Sequence, residues 1–188
     1  MRIVEIDDKY IDYLRKSFPK NILDNKYETR IHKRKFVGIV LEINSFIYFA
    51  PLSSPKKSDY DTNNKIKKST NAICRIVVKN KLLGKILLNN MFPVPKSKII
   101  PYNVDNEKDI SYKILVLKQI RWIQKNTTNI KKKANIIYKV KQNETFISNN
   151  KNKKFLESIS PFNLLETKCL EYNKSELLNK KQEQVISN

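Results

Sequence analysis

RKFVGIVLEINSFIYFAPLSSPKK, residues 34–57, holds two apolar runs split by Asn44-Ser45 and closes on a cluster of hydroxyls and lysines. Runs of this length, rich in β-branched and aromatic residues, read as two strands joined by a tight turn. Phe36 to Ile43 is almost continuously apolar, as expected of a central strand covered on both faces. Gly38, one of only two glycines in the chain, weakens a strand and marks a bulge or a close approach by another backbone. Pro51 cannot donate to a ladder, so it belongs at an edge or where pairing ends, and Pro55 holds Ser54 extended. The two prolines should lift Ser53 to Lys57 off the end of the sheet. In an antiparallel hairpin the two ends lie together, which brings Arg34 to Ser53, Ser54 and Lys56.

Outward from this hairpin, Met1 to Ile6 suits a first strand. A helix capped by Asp7 or Asp8 follows, with Tyr10, Ile11, Leu14 and Phe18 at helical spacing before Pro19. Residues 19–33 read as a surface loop carrying Tyr27, Arg30, His32 and Lys33. Residues 58–70 form a polar, lysine-rich loop, and loops of this length are functional or disordered. Ala72 to Val78 and Leu82 to Leu88 form a second hairpin about Lys79-Asn80-Lys81, while Met91 to Ile100, with its prolines, adds at most an edge segment. The sum is a mostly antiparallel sheet of five or six strands.

The second half is helical. Ile110, Ile114, Leu117, Ile120 and Ile123 define a helix lying across the sheet, its apolar face widened by Leu115, Val116 and Trp122 toward deep burial. Ile130 to Val140 is a basic helix with Lys131, Lys132, Lys133 and Lys139, either a solvated face or a binding face. Phe162 to Leu170 makes a short last helix. The reading is an α+β fold, one domain over residues 1–172 with a flexible tail over 173–188.

The chain has 188 residues, 38 Lys and Arg against 18 Asp and Glu, and a formal charge of +20. Such a surplus favours a polyanion, nucleic acid first, because neutralised phosphates release counterions. Abundant Lys, Asn and Ile also reflect a compositional bias. Cys74 and Cys169 lie outside any CxxC spacing and read as buried free thiols in a reducing cytoplasm. No run approaches the roughly 18–20 apolar residues of a membrane span. Two glycines leave no material for a phosphate-cradling loop, which argues against nucleotide-cofactor chemistry of the Rossmann or P-loop type, and no His/Cys/carboxylate cluster has metal-ligand spacing. His32 is the only histidine, which excludes a two-histidine ribonuclease mechanism within one chain.

The remaining chemistry rests on Lys, Arg, Tyr and Ser. RNA carries its own nucleophile, the 2′-hydroxyl; a protein need only help remove that proton, stabilise charge on the phosphate and protonate the departing 5′-oxygen. Lys56 can exchange protons while Arg34 stays charged. Ser53 and Ser54 can hydrogen-bond the phosphate or the 2′-hydroxyl, and Tyr10 or Tyr27 can stack a base or donate a proton. By spacing alone, Ser-Ser-Pro-Lys-Lys is equally an ordinary solvated turn.

Phe36 to Ile43 followed by Tyr48 to Lys57 resembles the signature of the ToxN/AbiQ/CptN family of type III toxin–antitoxin endoribonucleases. Weaker resemblance covers Lys9-Tyr10-Ile11, Asn90 to Val94, Tyr112 to Gln124 and Phe162 to Glu166. The resemblance implies a strongly twisted antiparallel sheet like that of the MazF/Kid toxins. It also implies a cytoplasmic, metal-independent ribonuclease that needs no cofactor and leaves a 2′,3′-cyclic phosphate. The implied partner is a repetitive pseudoknotted RNA antitoxin, processed by the toxin and held with it in a closed assembly; cellular or phage RNA is the substrate, and phage infection aborts. By position, the family's catalytic residues fall on Arg34, Ser53, Ser54, Lys56 and Tyr10, with Tyr27 a looser match. RNA contacts are assigned to Tyr27, Arg30, His32, Lys33, Lys57, Tyr60, Lys65, Lys67, Lys68, Lys131 and Lys132. The chain departs from the family after the lysine pair, where Ser58 and Asp59 stand in place of an aromatic and a histidine. The alternatives are a non-catalytic protein that holds structured RNA in the same groove and, last, a basic protein attracted to anionic membrane.

Overall fold

The structure, a computed structural model, describes residues 1–24, 32–143 and 150–186. In chain order the elements are β1 (Arg2–Ile6), α1 (Asp8–Ser17), β2 (Phe36–Ile43), β3 (Phe46–Ser53), β4 (Ile73–Val78), β5 (Lys81–Leu87), β6 (Phe92–Pro93) and β7 (Ile99–Pro101). The helices α2 (Ile110–Lys125), α3 (Thr127–Gln142), α4 (Asn150–Glu157) and α5 (Phe162–Ile186) follow. The described strands form a seven-stranded sheet in the order β4-β5-β3-β2-β1-β7, with β6 paired to β3. Every pairing is antiparallel.

The hairpin of residues 34–57 is the centre of this sheet. Its turn, Asn44-Ser45, has φ of 48° and 66°, and the second hairpin turns on Lys79-Asn80 at 46° and 58°. Two consecutive positive φ values are the backbone of the twist-matched two-residue hairpin turn. Alternate residues of β2 and β3 enter two cores. Val37, Tyr48, Ala50 and Leu52 face Val116, Ile123, Ile130, Ala134 and Ile137 of α2 and α3. Phe36, Ile47 and Phe49 face Tyr10, Ile11, Leu14, Phe92 and Leu165. Burial on both faces explains the apolar run of β2 from Phe36 to Leu41, which Glu42 ends at an exposed position.

Gly38 is where β3 comes closest: a Cβ on it would lie 2.0 Å from two ring atoms of Phe49, its cross-strand partner. Pro51 lies on an interior strand, not at an edge. The Leu52 N–H bonds the Lys35 carbonyl on the β2 side, so by alternation the missing N–H of Pro51 faces the other way. There it falls in the gap between the β6 pairing at Tyr48 and Phe49 and the β5 pairing at Leu52 and Ser53. The proline thus sits where β3 exchanges one neighbour for another.

Three expectations change. Residues 91–101 add two short strands, β6 and β7, which raises the sheet from five or six strands to seven. On α2 the buried face carries Val116, Gln119 and Ile123, while Ile110 is 72% and Ile114 46% exposed. Gln119 inside that face donates to the Leu83 carbonyl at 2.8 Å; a polar residue there hid the stripe from an apolar periodicity. The last helix does not end at Leu170 but continues to Ile186, and α4 precedes it. Well past Leu170, Glu176 pairs with Lys98. Cys74 and Cys169 are free and buried, and burial pushes both thiols up. Among the described residues no helix is long and apolar enough to cross a membrane.

Candidate active site

The two ends of the hairpin meet as the antiparallel register demands. Arg34, 5% exposed, donates from Nη1 to the Leu52 carbonyl at 3.0 Å and from Nε to the Asp24 carbonyl at 2.9 Å. Its guanidinium lies beneath the exit of β3 and fixes the peptide just before Ser53. Ser53 is half-buried, and Ser54, Pro55, Lys56 and Lys57 are exposed. Lys56 is extended, at φ −128° and ψ 161°, and a single helical turn, Lys57–Asp59, follows it. The structure therefore places Arg34 as a buried support at Leu52, directly ahead of the Ser53, Ser54 and Lys56 segment.

The far end of this segment is held by a group that sequence reasoning passed over. Asp59, 1% exposed, accepts from the Lys56 N–H at 2.9 Å, from Lys85 Nζ at 2.5 Å and from Arg75 Nη2 at 3.1 Å. Arg75 and Lys85 are direct cross-strand partners, and Lys85 is also the partner of Ser53. Two cations opposite one another destabilise a hairpin unless an acid lies between them. Burial pushes the Asp59 carboxyl up, but Lys85, the Lys56 N–H and Arg75 together hold it below the usual carboxylate range. One carboxylate against two cations leaves net positive charge beneath Ser53 to Lys56, the sign that suits a phosphate. The like-charge pair at matching hairpin positions is the one signal that could have revealed the triad, and it needs the register to be seen.

Gly84 lets β5 approach. At φ +153° it adopts a backbone rare for side-chain-bearing residues, and a Cβ would lie 3.2 Å from the Ser53 carbonyl and 2.9 Å from Gln119 Nε2. Beyond Asp59 the loop closes on itself. Its carbonyl accepts from the Lys67 N–H, Tyr60 bridges to Ile66, and Lys67 Nζ donates to the Ser58 carbonyl. Tyr60, Lys65, Lys67 and Lys68 line one side of a groove of about 780 Å³ whose other side includes Arg75 and Lys81. This loop is folded and basic.

Tyr10 is not brought to the site. It is fully buried on α1, its hydroxyl donating to the Pro93 carbonyl at 2.8 Å and its ring packed edge-on to Tyr172 at 5.0 Å. Burial pushes its phenol well up, and in this position it is a core residue. Lys33 is half-buried and pairs with Asp8 at 3.0 Å, with Glu5 at 3.8 Å. His32 stacks on Tyr112 at 3.7 Å, and its Nε2 lies 3.2 Å from Asp109 Oδ2 at the start of α2. The Tyr112 N–H, and then His32, hold the Asp109 carboxyl below its usual range. Lys131 and Lys132 are exposed on α3, where Lys131 shares a shallow groove with Met1, Arg2, Gly38 and Ile39. Tyr27 and Arg30 lie outside the described residues.

The family described as toxin ToxN of type III toxin–antitoxin systems matches residues 2–170. Endoribonuclease AbiQ of Lactococcus lactis subsp. lactis is 32% identical over 183 residues, which cover 93% of this chain and 90% of AbiQ. Endoribonuclease ToxN of Pectobacterium atrosepticum is 31% identical over 140 residues, 73% of this chain and 79% of that protein. A solved structure concerned with the selective inhibition of a type III toxin by a non-coding RNA pseudoknot superposes with a TM-score of 0.71 at 28% identity, covering 91% of this chain and 96% of that one. A structure of AbiQ, a lactococcal anti-phage endoribonuclease of a type III system, gives 0.70 at 28% identity and covers 92% and 98%. Sheet, helices and sequence together define the class of endoribonuclease toxins from type III toxin–antitoxin systems. The chain belongs to the ToxN family.

Proposed function

We propose that this chain cleaves RNA at the Ser53 to Lys56 segment, without a metal ion, and leaves a 2′,3′-cyclic phosphate. The observation that carries this reading is the Ser53-Ser54-Pro55-Lys56 exit, half-buried at Ser53 and exposed beyond it, pinned at Leu52 by Arg34 and at Lys56 by Asp59, over net positive charge. The 2′-oxygen attacks the adjacent phosphorus, the bond from phosphorus to the 5′-oxygen breaks, and the 2′-proton is lost as the 5′-oxygen gains one. The Ser53 and Ser54 hydroxyls donate to the phosphate oxygens, where charge builds in the transition state. Lys56, exposed and without an ion pair among the described residues, supplies an ammonium within reach of the departing oxygen. Arg34 acts from behind, by placing Ser53 and adding charge. The loop groove at Lys65, Lys67 and Lys68 gives the substrate strand a cationic path away from the scissile bond.

By kinship with the relatives, the chain acts in the cytoplasm as a toxin that aborts phage infection. It is restrained by a repetitive pseudoknotted RNA that it processes and holds in a closed protein–RNA assembly. Incubating purified protein with AU-rich RNA in excess chelator, then determining the product ends, tests the chemistry. Cyclic-phosphate ends are expected. Binding without cleavage would instead establish a protein that only holds structured RNA.

A further inference from the structure

We propose that Asp59 is a positioning residue for Lys56. The inference rests on the reading of Ser53 to Lys56 as the cleavage site and extends it to a residue that never touches RNA. The carboxylate is nearly fully buried, and the Oδ2 that Lys85 Nζ holds at 2.5 Å also accepts one backbone group, the Lys56 N–H at 2.9 Å. Pro55 has no N–H to give, so between Ser54 and Asp59 the Lys56 amide is the first backbone donor that can anchor the segment. The Asp59 N–H returns a bond to the Lys56 carbonyl at 2.9 Å. Together the two bonds fix both faces of the peptide units flanking the Lys56 Cα, and thereby the direction in which its side chain leaves the chain.

The anchor is itself immobilised from the sheet. Lys85 on β5 and Arg75 on β4 hold the carboxylate from opposite strands, and Lys85 is the register partner of Ser53. The ammonium of Lys56 and the hydroxyl of Ser53 are thus referred to one rigid point. Arg75 is tied further, donating from Nη1 to the Lys68 carbonyl at 2.8 Å, while its N–H bonds Ser69 Oγ at 2.8 Å. Displacements of about 1 Å at a reacting group can cost on the order of 100-fold in rate, so a four-residue exit with one end loose would bind RNA and turn it over slowly.

The test compares variants in a background where Lys85, one of the two buried cations left behind when Asp59 is replaced, is neutralised as well, so that the net charge of the cluster stays as it was. Asp59→Asn/Lys85→Met retains an oxygen that accepts the Lys56 N–H; Asp59→Ala/Lys85→Met does not. The expected result is that kcat in the Ala variant is lower by roughly 10–100-fold than in the Asn variant. Affinity for an RNA with a 2′-deoxyribose at the scissile position stays the same in both, as does the circular dichroism of the folded protein. Equal kcat values in the two, or a fall in kcat matched by an equal fall in RNA affinity, overturns the proposal. Lys56→Ala in the natural background separates the two layers. If Lys56→Ala cleaves like the natural chain, the cleavage-site reading fails and Asp59 has nothing to position. If Lys56→Ala is inactive and the Asp59 pair does not differ, only the role of Asp59 fails.

Discussion

Arg34 Nη1 donates to the carbonyl of Leu52 at 3.0 Å, joining residues 18 apart in sequence at the mouth of the central hairpin. The same guanidinium reaches the Asp24 carbonyl through Nε; its rigid fork spreads donors to two separate carbonyls, whereas the three donors of an ammonium radiate from one compact nitrogen. Arg34→Met leaves both carbonyls without this donor, and should lower unfolding free energy by about 2–4 kcal/mol. Arg34→Lys should recover less than half of that. Urea denaturation of the two variants checks this, and a loss within about 0.5 kcal/mol for Arg34→Met would show that the contact is not a support.

Lys56 and Ser54 should behave in the opposite way. Both are exposed, so Lys56→Ala and Ser54→Ala should change stability by no more than about 0.5 kcal/mol. Each should nonetheless relieve the growth arrest produced when the chain is expressed without an RNA antitoxin. Colony counts after induction, alongside a thermal melt of the purified variants, give the answer. Two fully toxic variants would displace the reaction from this segment.

Gly38 tests the scaffold. A Cβ placed 2.0 Å from the Phe49 ring cannot be accommodated without moving that ring, and Phe49 is packed into the core shared with Phe36 and Phe92. Gly38→Ala should destabilise the fold by about 1–3 kcal/mol. Phe49→Ala alone opens a cavity costing about 3–5 kcal/mol. The double variant should lose clearly less than the sum of the two, because the cavity admits the methyl. Additive losses would mean that the ring yields by another route.

These contrasts mark where the sequence was transparent. The hairpin of residues 34–57, its Asn44-Ser45 turn and the Lys79-Asn80 turn follow from local patterns, since strand periodicity and positive φ are properties of neighbouring residues. Gly38 was legible because a glycine in an apolar strand has few other uses. Tyr10 was legible as core from its spacing with Ile11 and Leu14, a pattern that the assignment of a catalytic role overrode. What stayed hidden depends on register. Asp59, Arg75 and Lys85 are scattered over 27 positions, and nothing local distinguishes a buried carboxylate from a loop aspartate. The α2 face was misplaced because Gln119, satisfied by a carbonyl on β5, occupies an apolar stripe.

Asp59 also sets an acid limit on stability. Its carboxyl lies below the ordinary range in the folded chain, with Lys85, the Lys56 N–H and Arg75 outweighing the upward push of burial. In the unfolded chain it titrates near about 3.9. A depressed folded pKa means that the unfolded state binds the proton more readily, so the contribution is complete above about pH 4 and is lost as pH falls through the folded value. The unfolding free energy should therefore drop below about pH 4 more steeply in the natural chain than in Asp59→Asn/Lys85→Met, which carries no carboxylate at this position. Urea titrations at half-unit intervals from pH 6 to about pH 2.5, with the two curves compared by slope and not by height, isolate the effect. Parallel slopes through that window would mean that the carboxylate titrates alike in both states, and that the Lys85 and Arg75 contacts do not favour its ionised form.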